Sequence, residues 1–292
     1  MPSRKSQTDD LILTPGSDPS ALPTPKPRAK RKPELSPTRI RSFLTCPMLY
    51  RLEYIDKVGR FYHRAQAGWA LGSTLHQTLQ AFHEEGGADN VSRAELIEKM
   101  DAGWISSGYG TVENETRHRN AAAVILHGYH SSAAERAETT RTFLTEKMLK
   151  YDMGAFVLTG RIDRIDEHLA DGALEIVDYK TWDSVHEDDV KEAMAMSVYQ
   201  LLVKRLHPDR RVFATIHALA GGVTASASFT DEEMAAFEDD LRGVGLMILE
   251  TDWEAVFPKP IADTCPGCDF LKICRSYWIR EGAEWERVLG IP

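Results

Sequence analysis

Apolar side chains in the first half of the chain recur at the three- to four-residue spacing of a helix. The stretch "LGSTLHQTLQAFHEEGG" predicts an amphipathic helix that ends at Gly86–Gly87. Its apolar face consists of Leu71, Leu75, Leu79 and Phe82. Ser92 and Glu95 have the spacing of a capping box, which predicts the start of the next helix. Helical patterns also cover residues 116–138 and 140–150.

The second half of the chain alternates between strand and helix patterns. Strand-forming residues dominate "FVLTGRIDRIDEHLADGALEIVDYKTW", residues 156–182, and Asp171–Gly172 predicts a two-residue hairpin turn within it. A long helix over roughly 187–206 precedes two further strands, "RVFATIHAL" and "VTASASF". A helix capped by Thr230 then runs to about residue 253. This order predicts an α/β or α+β core with a helical N-terminal half and a Cys-rich C-terminal segment.

The chain has 292 residues and a formal net charge of −9. Its apolar runs are shorter than a membrane span, so we expect a soluble, cytoplasmic protein. The acidic balance argues against a generally basic nucleic-acid binder, although a local basic channel can lie on an acidic body. We expect residues 1–33, with the basic stretch "TPKPRAKRKP", to be a disordered tail that either attracts nucleic acid or only aids solubility. Residues 34–292 would then form one folded domain.

Charged residues interrupt the predicted hairpin. With a turn at Asp171–Gly172, Lys180 faces Asp163 and Asp178 lies diagonally from Asp163, at about 7 Å between backbones. All three side chains would project from one face, where two carboxylates can hold one divalent ion. A register shift of two residues preserves this arrangement, whereas a shift of one residue breaks it. The alternative is a plain Asp163–Lys180 ion pair, and Asp166, Glu167 and Glu175 are expected to be solvent-facing acids of the same hairpin.

The chain contains four cysteines, which is the number of thiolates that closes a tetrahedral metal site or an iron–sulfur site. In a cytosolic protein, clustered cysteines are more often metal ligands than disulfides. One lies near the start of the predicted domain and three lie near its end: Cys46, Cys265, Cys268 and Cys274.

The charged strands "GRIDRID" and "IVDYKT" resemble the nuclease core of the PD-(D/E)XK superfamily, in particular its RecB-like branch. In that branch a G-x-x-D strand precedes a D-x-K strand, with a His on an upstream helix and a Gln on a downstream helix. "LGSTLH" and "YQLL" match those two helices. The resemblance covers about residues 35–275 and implies a restriction-endonuclease-like α/β core, a small mixed sheet flanked by helices. The chain departs from the branch at Lys204, where a Tyr is frequent.

The resemblance implies metal-assisted hydrolysis of phosphodiester bonds. The ligands of Mg²⁺ or Mn²⁺ would be His76, Asp163, Asp178 and the backbone carbonyl of Tyr179. Lys180 would position the attacking water or stabilise the developing negative charge, and Gln200 would orient that water or a phosphate. Glu146 matches an upstream Glu of the branch, and we expect it to lie behind the metal ligands or at the substrate end.

The cysteines add a second resemblance. "CPMLY" at Cys46 and "CPGCDFLKIC" at the far end are similar to the iron–sulfur staple of CRISPR-associated RecB-like exonucleases and AddB-type nuclease domains. This implies a structural [4Fe–4S] cluster on all four thiolates, with a structural Zn²⁺ as the alternative.

The function implied by the resemblance is a DNA exonuclease that digests from single-stranded ends. Its setting would be recombination, repair, phage DNA metabolism or CRISPR adaptation in a bacterial or phage-infected cell, with a helicase, recombinase or integrase as partner. The alternatives are a structure-specific endonuclease or end-trimming subunit, and a non-catalytic subunit that binds DNA ends. Candidate phosphate contacts are Arg39, Arg41, Arg51, Arg161 and Arg164. Trp69, Tyr179 and Trp182 either stack on unpaired bases or pack in the core.

Overall fold

The computed structural model describes residues 31–282 and 288–290. The basic tail predicted for residues 1–33 lies almost wholly outside the described residues. From Pro33 onward the chain forms one unit, which begins with a short strand and a series of helices. These elements are β1 (Glu34–Leu35), α1 (Pro37–Thr45), α2 (Pro47–Tyr50), α3 (Ala67–Glu84), α4 (Arg93–Ala102) and α5 (Val112–Arg136). The capping box predicted from Ser92 and Glu95 begins α4, and Ser36 caps α1.

A mixed sheet and four more helices follow. The strands are β2 (Thr140–Asp152), β3 (Val157–His168), β4 (Leu174–Lys180), β5 (Val212–Ala218) and β6 (Val223–Ala227). The helices are α6 (Glu187–Glu192), α7 (Met194–Leu206), α8 (Asp231–Glu250) and α9 (Leu271–Glu281). The sheet runs β1-β3-β4-β5-β6, and β2 pairs with β3 along its other edge. Strands β4 and β5 are parallel, as are β1 and β3, whereas the remaining pairs are antiparallel. This sheet, covered by helices, confirms the predicted α/β fold.

Helices cover both faces of the sheet. Helices α3, α4 and α5 pack on one face, in an apolar cluster that includes Leu75, Leu79, Phe82, Leu96, Leu126, Val177 and Tyr179. Helices α1, α7 and α8 pack on the other face, in a cluster that includes Ile40, Leu158, Ile165, Ile176, Leu201, Leu202 and Leu241. Strand β4 is buried on both faces, which explains its nearly continuous run of apolar residues. Since Ile176 faces α7, Asp178 two residues later projects from that face as well.

The helix predicted over residues 140–150 is wrong, because these residues form β2. Thr140, Thr142, Phe143 and Thr145 are strand formers, and β2 pairs with β3 along most of its length. Tertiary pairing therefore overrides the weak helical pattern. The long helix predicted over 187–206 is also divided, since Ala193 has an extended backbone between α6 and α7.

The predicted two-residue hairpin turn is wrong as well. Ile165 pairs with Ile176, and the connection spans five residues, 169–173. The N–H of Gly172 donates to the carbonyl of His168 at 2.9 Å. Gly172 has a φ of 69°, which glycine adopts at little cost. The true register differs from the predicted one by two residues. The pairing does not reach Asp163, however, and Ile162 and Ile165 pack in the same cluster although they are three residues apart. The alternation of β3 is therefore interrupted beside Asp163, which lies against His76 of α3 rather than on the α7 face.

Two glycines of α8 test how closely this helix packs on the core. A Cβ at Gly245 would lie 2.1 Å from Cε1 of the buried Phe156 ring, whereas a Cβ at Gly243 would meet no atom within 4 Å. We expect Gly245→Ala to lower the free energy of unfolding by about 1–3 kcal/mol through overpacking. Gly243→Ala should raise it by about 0.5–1 kcal/mol, because alanine is the better helix former. Urea unfolding of both variants measures this, and shifts of the same sign would contradict the packing.

Candidate metal centre and active site

Strands β3 and β4 separate where the charged residues lie. Their paired residues end at Arg164 and Val177. Beyond that point, the backbone N–H of Tyr179 donates to Oδ2 of Asp163 at 3.0 Å. The Asp163 carboxylate thus replaces a strand carbonyl in the ladder, which fixes its orientation at the opening between the strands.

His76 of α3 lies over this opening. Its Nε2 is 3.0 Å from the carbonyl oxygen of Tyr179, and its Nδ1 is 3.3 Å from Oδ1 of Asp163. Burial alone would lower the pKa of His76, but the hydrogen bond and negative charge of Asp163 outweigh it and raise the pKa above its ordinary value. The imidazole therefore lies against the same two groups, Asp163 and the Tyr179 carbonyl, that were expected to share a metal ion with it.

Glu146 of β2 completes a ligand set. Among the described residues, one nitrogen of His76 and one carboxylate oxygen each of Glu146 and Asp163 lie within 4.8 Å of one another. Glu146 falls opposite Asp163, since the residues on either side of it pair with β3. Its φ of 43° is unusual for a residue other than glycine. Backbone strain of this kind is found at functional sites, where a side chain must adopt a particular direction. Glu146 is therefore a candidate ligand, and does not lie behind the other candidate ligands as expected.

The remaining two charges of the motif form an ion pair between a buried carboxylate and a partly exposed ammonium. Asp178 is only 5% exposed, and its Oδ2 lies 2.6 Å from Nζ of Lys180. Burial raises the pKa of Asp178, Lys180 opposes this rise, and the Asp163 charge adds to it. The pair positions the Lys180 ammonium beside the opening, while Asp178 lies outside the three-residue ligand set formed by Glu146, His76 and Asp163.

These side chains meet in an open cavity of about 520 Å³. It is lined by the ligand set, by cationic and polar side chains, and by two tryptophans. The lining includes Trp69, His76, Gln77, Glu146, Arg161, Asp163, Tyr179, Lys180 and Trp182. Arg161 forms an ion pair with Glu146 at 2.6 Å and is otherwise exposed. The cavity therefore combines candidate metal ligands with two cations suited to phosphate.

The structure does not bring Gln200 to this cavity. Gln200 is buried and lines a separate cavity together with Lys204. Its neighbour Tyr199 packs beside Gly160 of β3, and burial together with the charges of Asp178, Asp163 and Glu146 raises the pKa of its hydroxyl. The role expected for Gln200 thus has no geometric support. The sequence signal for Tyr199 was its position three residues before Leu202, which places both on the sheet-facing side of α7.

Arg164 was expected to contact DNA, and this is wrong. It is 4% exposed, donates to the hydroxyl of Tyr179 at 2.7 Å and pairs with Asp166 at 2.9 Å. Asp166 and Glu175, expected to face solvent, are buried too, and Arg136 pairs with Glu175 at 2.6 Å. Helices α3 and α5 cover this part of the sheet and exclude water from it. The buried arginines and carboxylates therefore pair with one another instead of being solvated.

The other candidate DNA contacts lie outside the cavity lining. Arg39 donates to the carbonyl of Glu34 at 2.7 Å, and Arg51 donates to the carbonyl of Val256 at 3.0 Å. Arg41 is exposed on α1. Among the candidates, Arg161 is therefore the arginine that the cavity includes.

All four cysteines line one small cavity, although they come from opposite ends of the domain. Cys46 separates α1 from α2, Cys265 and Cys268 lie in the loop before α9, and Cys274 lies on α9. Burial and the neighbouring thiols raise the pKa of Cys274 to about 12. The backbone N–H of Ile261 donates to Sγ of Cys265 at 3.2 Å. The four sulfurs share the lining of one apolar cavity, although among the described residues they do not form a group whose ligand atoms all lie within 4.8 Å of one another.

Comparison with known proteins agrees with this geometry. Residues 34–275 match the family model of the PD-(D/E)XK nuclease superfamily, whereas a search of curated protein sequences finds no match. In the described residues, no helix is both long and apolar enough to cross a membrane. The superfamily predicted from the hairpin is confirmed, and its RecB-like branch stays a prediction. The matched range holds the mixed sheet, the candidate ligand set and the Asp178–Lys180 ion pair, and the chain belongs to the PD-(D/E)XK nuclease superfamily.

Proposed function

We propose that this chain is a metal-dependent DNA exonuclease of the RecB-like branch that digests from single-stranded ends. The superfamily supports a metal-dependent nuclease with DNA as substrate. The observation that carries the proposal is the meeting of His76, Glu146 and Asp163 in a cavity that also contains Lys180 and Arg161. Recombination, repair, phage DNA metabolism and CRISPR adaptation are the settings in which such an activity would act.

His76, Glu146 and Asp163 fit a divalent ion by the chemistry of their donors. Two carboxylates and one imidazole suit Mg²⁺ or Mn²⁺, the ions that the superfamily usually uses. The carbonyl of Tyr179, 3.0 Å from the imidazole, is a further candidate ligand, and Asp178 is one by resemblance. Glu146 thus changes from an outlying residue to a proposed ligand. When bound, the ion lowers the pKa of a water molecule and neutralises charge on the phosphate.

The protein's own side chains supply the remaining functions. Lys180, oriented by Asp178, stabilises the negative charge that develops on the phosphate oxygens during hydrolysis. Arg161 can exchange its pairing with Glu146 for a substrate phosphate, because its guanidinium is largely exposed. Asp163, fixed by the Tyr179 N–H, keeps the ligand set in place before substrate binds.

We further propose that Cys46, Cys265, Cys268 and Cys274 hold a [4Fe–4S] cluster with a structural role. Support comes from their common cavity and from a backbone N–H directed at Cys265, an interaction that stabilises a thiolate. Such a group would connect α1 to the segment around α9 and restrict the unfolded chain over a very long loop. A structural Zn²⁺ is the alternative that metal analysis separates from it.

Removing the charges of the cavity should abolish cleavage. We expect Asp163→Asn and Lys180→Ala to lower the rate by about 10²-fold or more, since each removes charge stabilisation at the phosphate. Rates are measured on 5′- and 3′-labelled linear single strands and on circular single strands, with Mg²⁺ or Mn²⁺. Lys191→Ala, which removes an exposed lysine of α6, is the matched control.

The substrates separate the possible activities. An exonuclease leaves circles intact, and cleavage of circles by the wild-type protein would favour the endonuclease. DNA binding without cleavage in either metal would favour a non-catalytic end-binding subunit. A cleavage rate equal to that of the wild type in Lys180→Ala would contradict the assignment of this cavity as the active site.

Divalent metal binding should depend on pH through His76. The raised pKa means that a proton must leave the imidazole before metal binds, so Mn²⁺ affinity should fall by about tenfold per pH unit below that pKa. In the metal-free protein, protonated His76 stabilises the fold below its ordinary pKa of about 6.5, and this contribution is lost as pH rises through the raised value. Isothermal titration with Mn²⁺ from acidic to neutral pH measures the affinity.

His76→Asn should flatten this pH dependence, because it removes the group that titrates. His127→Asn, on the exposed side of α5, should retain it. An unchanged pH profile in His76→Asn would show that another group controls metal binding.

Loss of one cysteine should remove the bound group and destabilise the domain. We expect anaerobically purified protein to contain iron and sulfide, and Cys46→Ser to lose both and to unfold at a lower temperature, with a cost of several kcal/mol for the opened loop. Elemental analysis and calorimetry measure these changes, with Thr45→Ser as the neighbouring control. A measured content of one zinc and no iron per chain would contradict the iron–sulfur cluster and favour a structural Zn²⁺.

A further inference from the structure

Two tryptophans at the active-site cavity are unusually exposed. Trp69 on α3 is 67% exposed and Trp182, which follows β4, is 43% exposed, and both line the cavity that contains the ligand set. Leaving large aromatic surface in water is unfavourable, and exposed aromatic side chains at a polar cleft are typical of ligand contacts. Tyr179, the third aromatic residue considered for base stacking, is only 3% exposed, so its ring cannot stack on a base.

The indole of Trp182 is presented from a rigid backbone. The backbone carbonyl of Trp182 accepts hydrogen bonds from the N–H groups of Ala220 and Gly221 at 3.1 and 3.2 Å. Gly221 is required for this contact, because a Cβ there would lie 1.7 Å from the carbonyl oxygen of Asp183. An exposed ring on a fixed backbone loses little conformational freedom when a ligand binds.

One strip of α3 beside Trp69 is left without side chains. Gly68 and Gly72 are one helical turn apart and both line the cavity, with His76 one turn further along. A Cβ at either glycine would meet no atom within 4 Å. Glycine lowers helix stability relative to alanine, and nothing inside the protein uses the space it leaves. That space is open to a molecule from outside.

The chemistry of the cavity selects the kind of molecule. Arg161 and Lys180 provide cations for phosphates, while Ser73, Gln77 and Gln80 provide neutral polar contacts along α3. Indole rings stack on the faces of bases, and in a duplex those faces are already covered by neighbouring base pairs. A strand with unpaired bases therefore satisfies both the tryptophans and the cations.

We infer that a single DNA strand lies along the open strip of α3, with unpaired bases stacked on Trp69 and Trp182, and that these stacks make the site selective for single strands over duplex. This inference rests on the proposed function and identifies its substrate-recognition residues. Phosphate contacts alone, from Arg161 and Lys180, would hold single strands and duplex with little distinction.

The test compares a base-bearing single strand with an abasic strand of the same length and with a duplex. Binding is measured by fluorescence anisotropy with Ca²⁺ in place of Mg²⁺. We expect Trp69→Ala and Trp182→Ala each to weaken binding of the base-bearing strand by about 5- to 150-fold, which corresponds to about 1–3 kcal/mol per stacked base. Binding of the abasic strand and of the duplex should change little. Phe257→Ala, an exposed aromatic outside the cavity lining, is the matched control.

Gly72→Ala tests the path of the strand separately from folding. It should raise the melting temperature, because alanine favours the helix, and yet weaken binding of both single strands, because the methyl group occupies the open strip. A loss of binding in a more stable protein cannot arise from unfolding. Unchanged binding in Gly72→Ala would overturn the placement along α3.

The outcomes distinguish this inference from the proposed function. Equal losses on base-bearing, abasic and duplex DNA in the tryptophan variants, or no loss at all, would overturn the stacking while leaving the nuclease proposal intact. Failure of the wild-type protein to bind any of the three DNAs would instead remove the nuclease proposal on which the inference rests.

Discussion

The peptide and ring of Tyr179 connect the candidate metal ligands to the core of the protein. Its N–H donates to Asp163 and its carbonyl lies 3.0 Å from the His76 imidazole. Its hydroxyl is buried, 2.8 Å from the hydroxyl of Tyr129 and 2.7 Å from Nη1 of Arg164. The backbone of this residue cannot shift unless the ring is repacked between the sheet and α5. The separation of Asp163 and His76 is therefore set by packing of the core. Contacts behind the ligands commonly orient a metal site in this way.

The charges beneath Tyr179 explain how a polar network can exist inside the fold. Arg164 and Arg136 are balanced by Asp166 and Glu175, all close to the helix-covered face of the sheet. Burial of an ion is costly unless it is paired, so removing any one of these four charges would leave another without compensation. Burial also raises the pKa of the Tyr179 hydroxyl well above its ordinary value, so that it remains a neutral phenol at any physiological pH. The network supports the site without taking part in its chemistry.

Sequence patterns predicted that the charged residues of the two strands approach one another, but not the face on which each lies. Asp178 projects toward α7, whereas Asp163 lies against His76 of α3, because the alternation of β3 is interrupted between Ile162 and Ile165. Glu146 was not recognised as a candidate ligand, since its position depends on the long-range pairing of β2 with β3. Arg161 and Arg164 look equivalent in "GRIDRID", and only the covering helices distinguish an exposed cation from a buried one. Such differences arise from tertiary packing, which a local pattern does not contain.

Three acid–base pairs surround the site. Asp178 pairs with Lys180 and Glu146 with Arg161, and Asp163 lies against His76, which carries a positive charge when protonated. This pairing reconciles an acidic chain with an anionic substrate, because the local charge can change when a divalent ion is held. If Glu146 holds such an ion, the ion neutralises its charge in place of Arg161. The Arg161 guanidinium is then free to bind a phosphate. Under the proposed function, metal and DNA then favour each other's binding, since each relieves the charge that opposes the other. The same cations bind phosphates without regard to base pairing, which leaves the choice between single strand and duplex to the uncharged rings of Trp69 and Trp182.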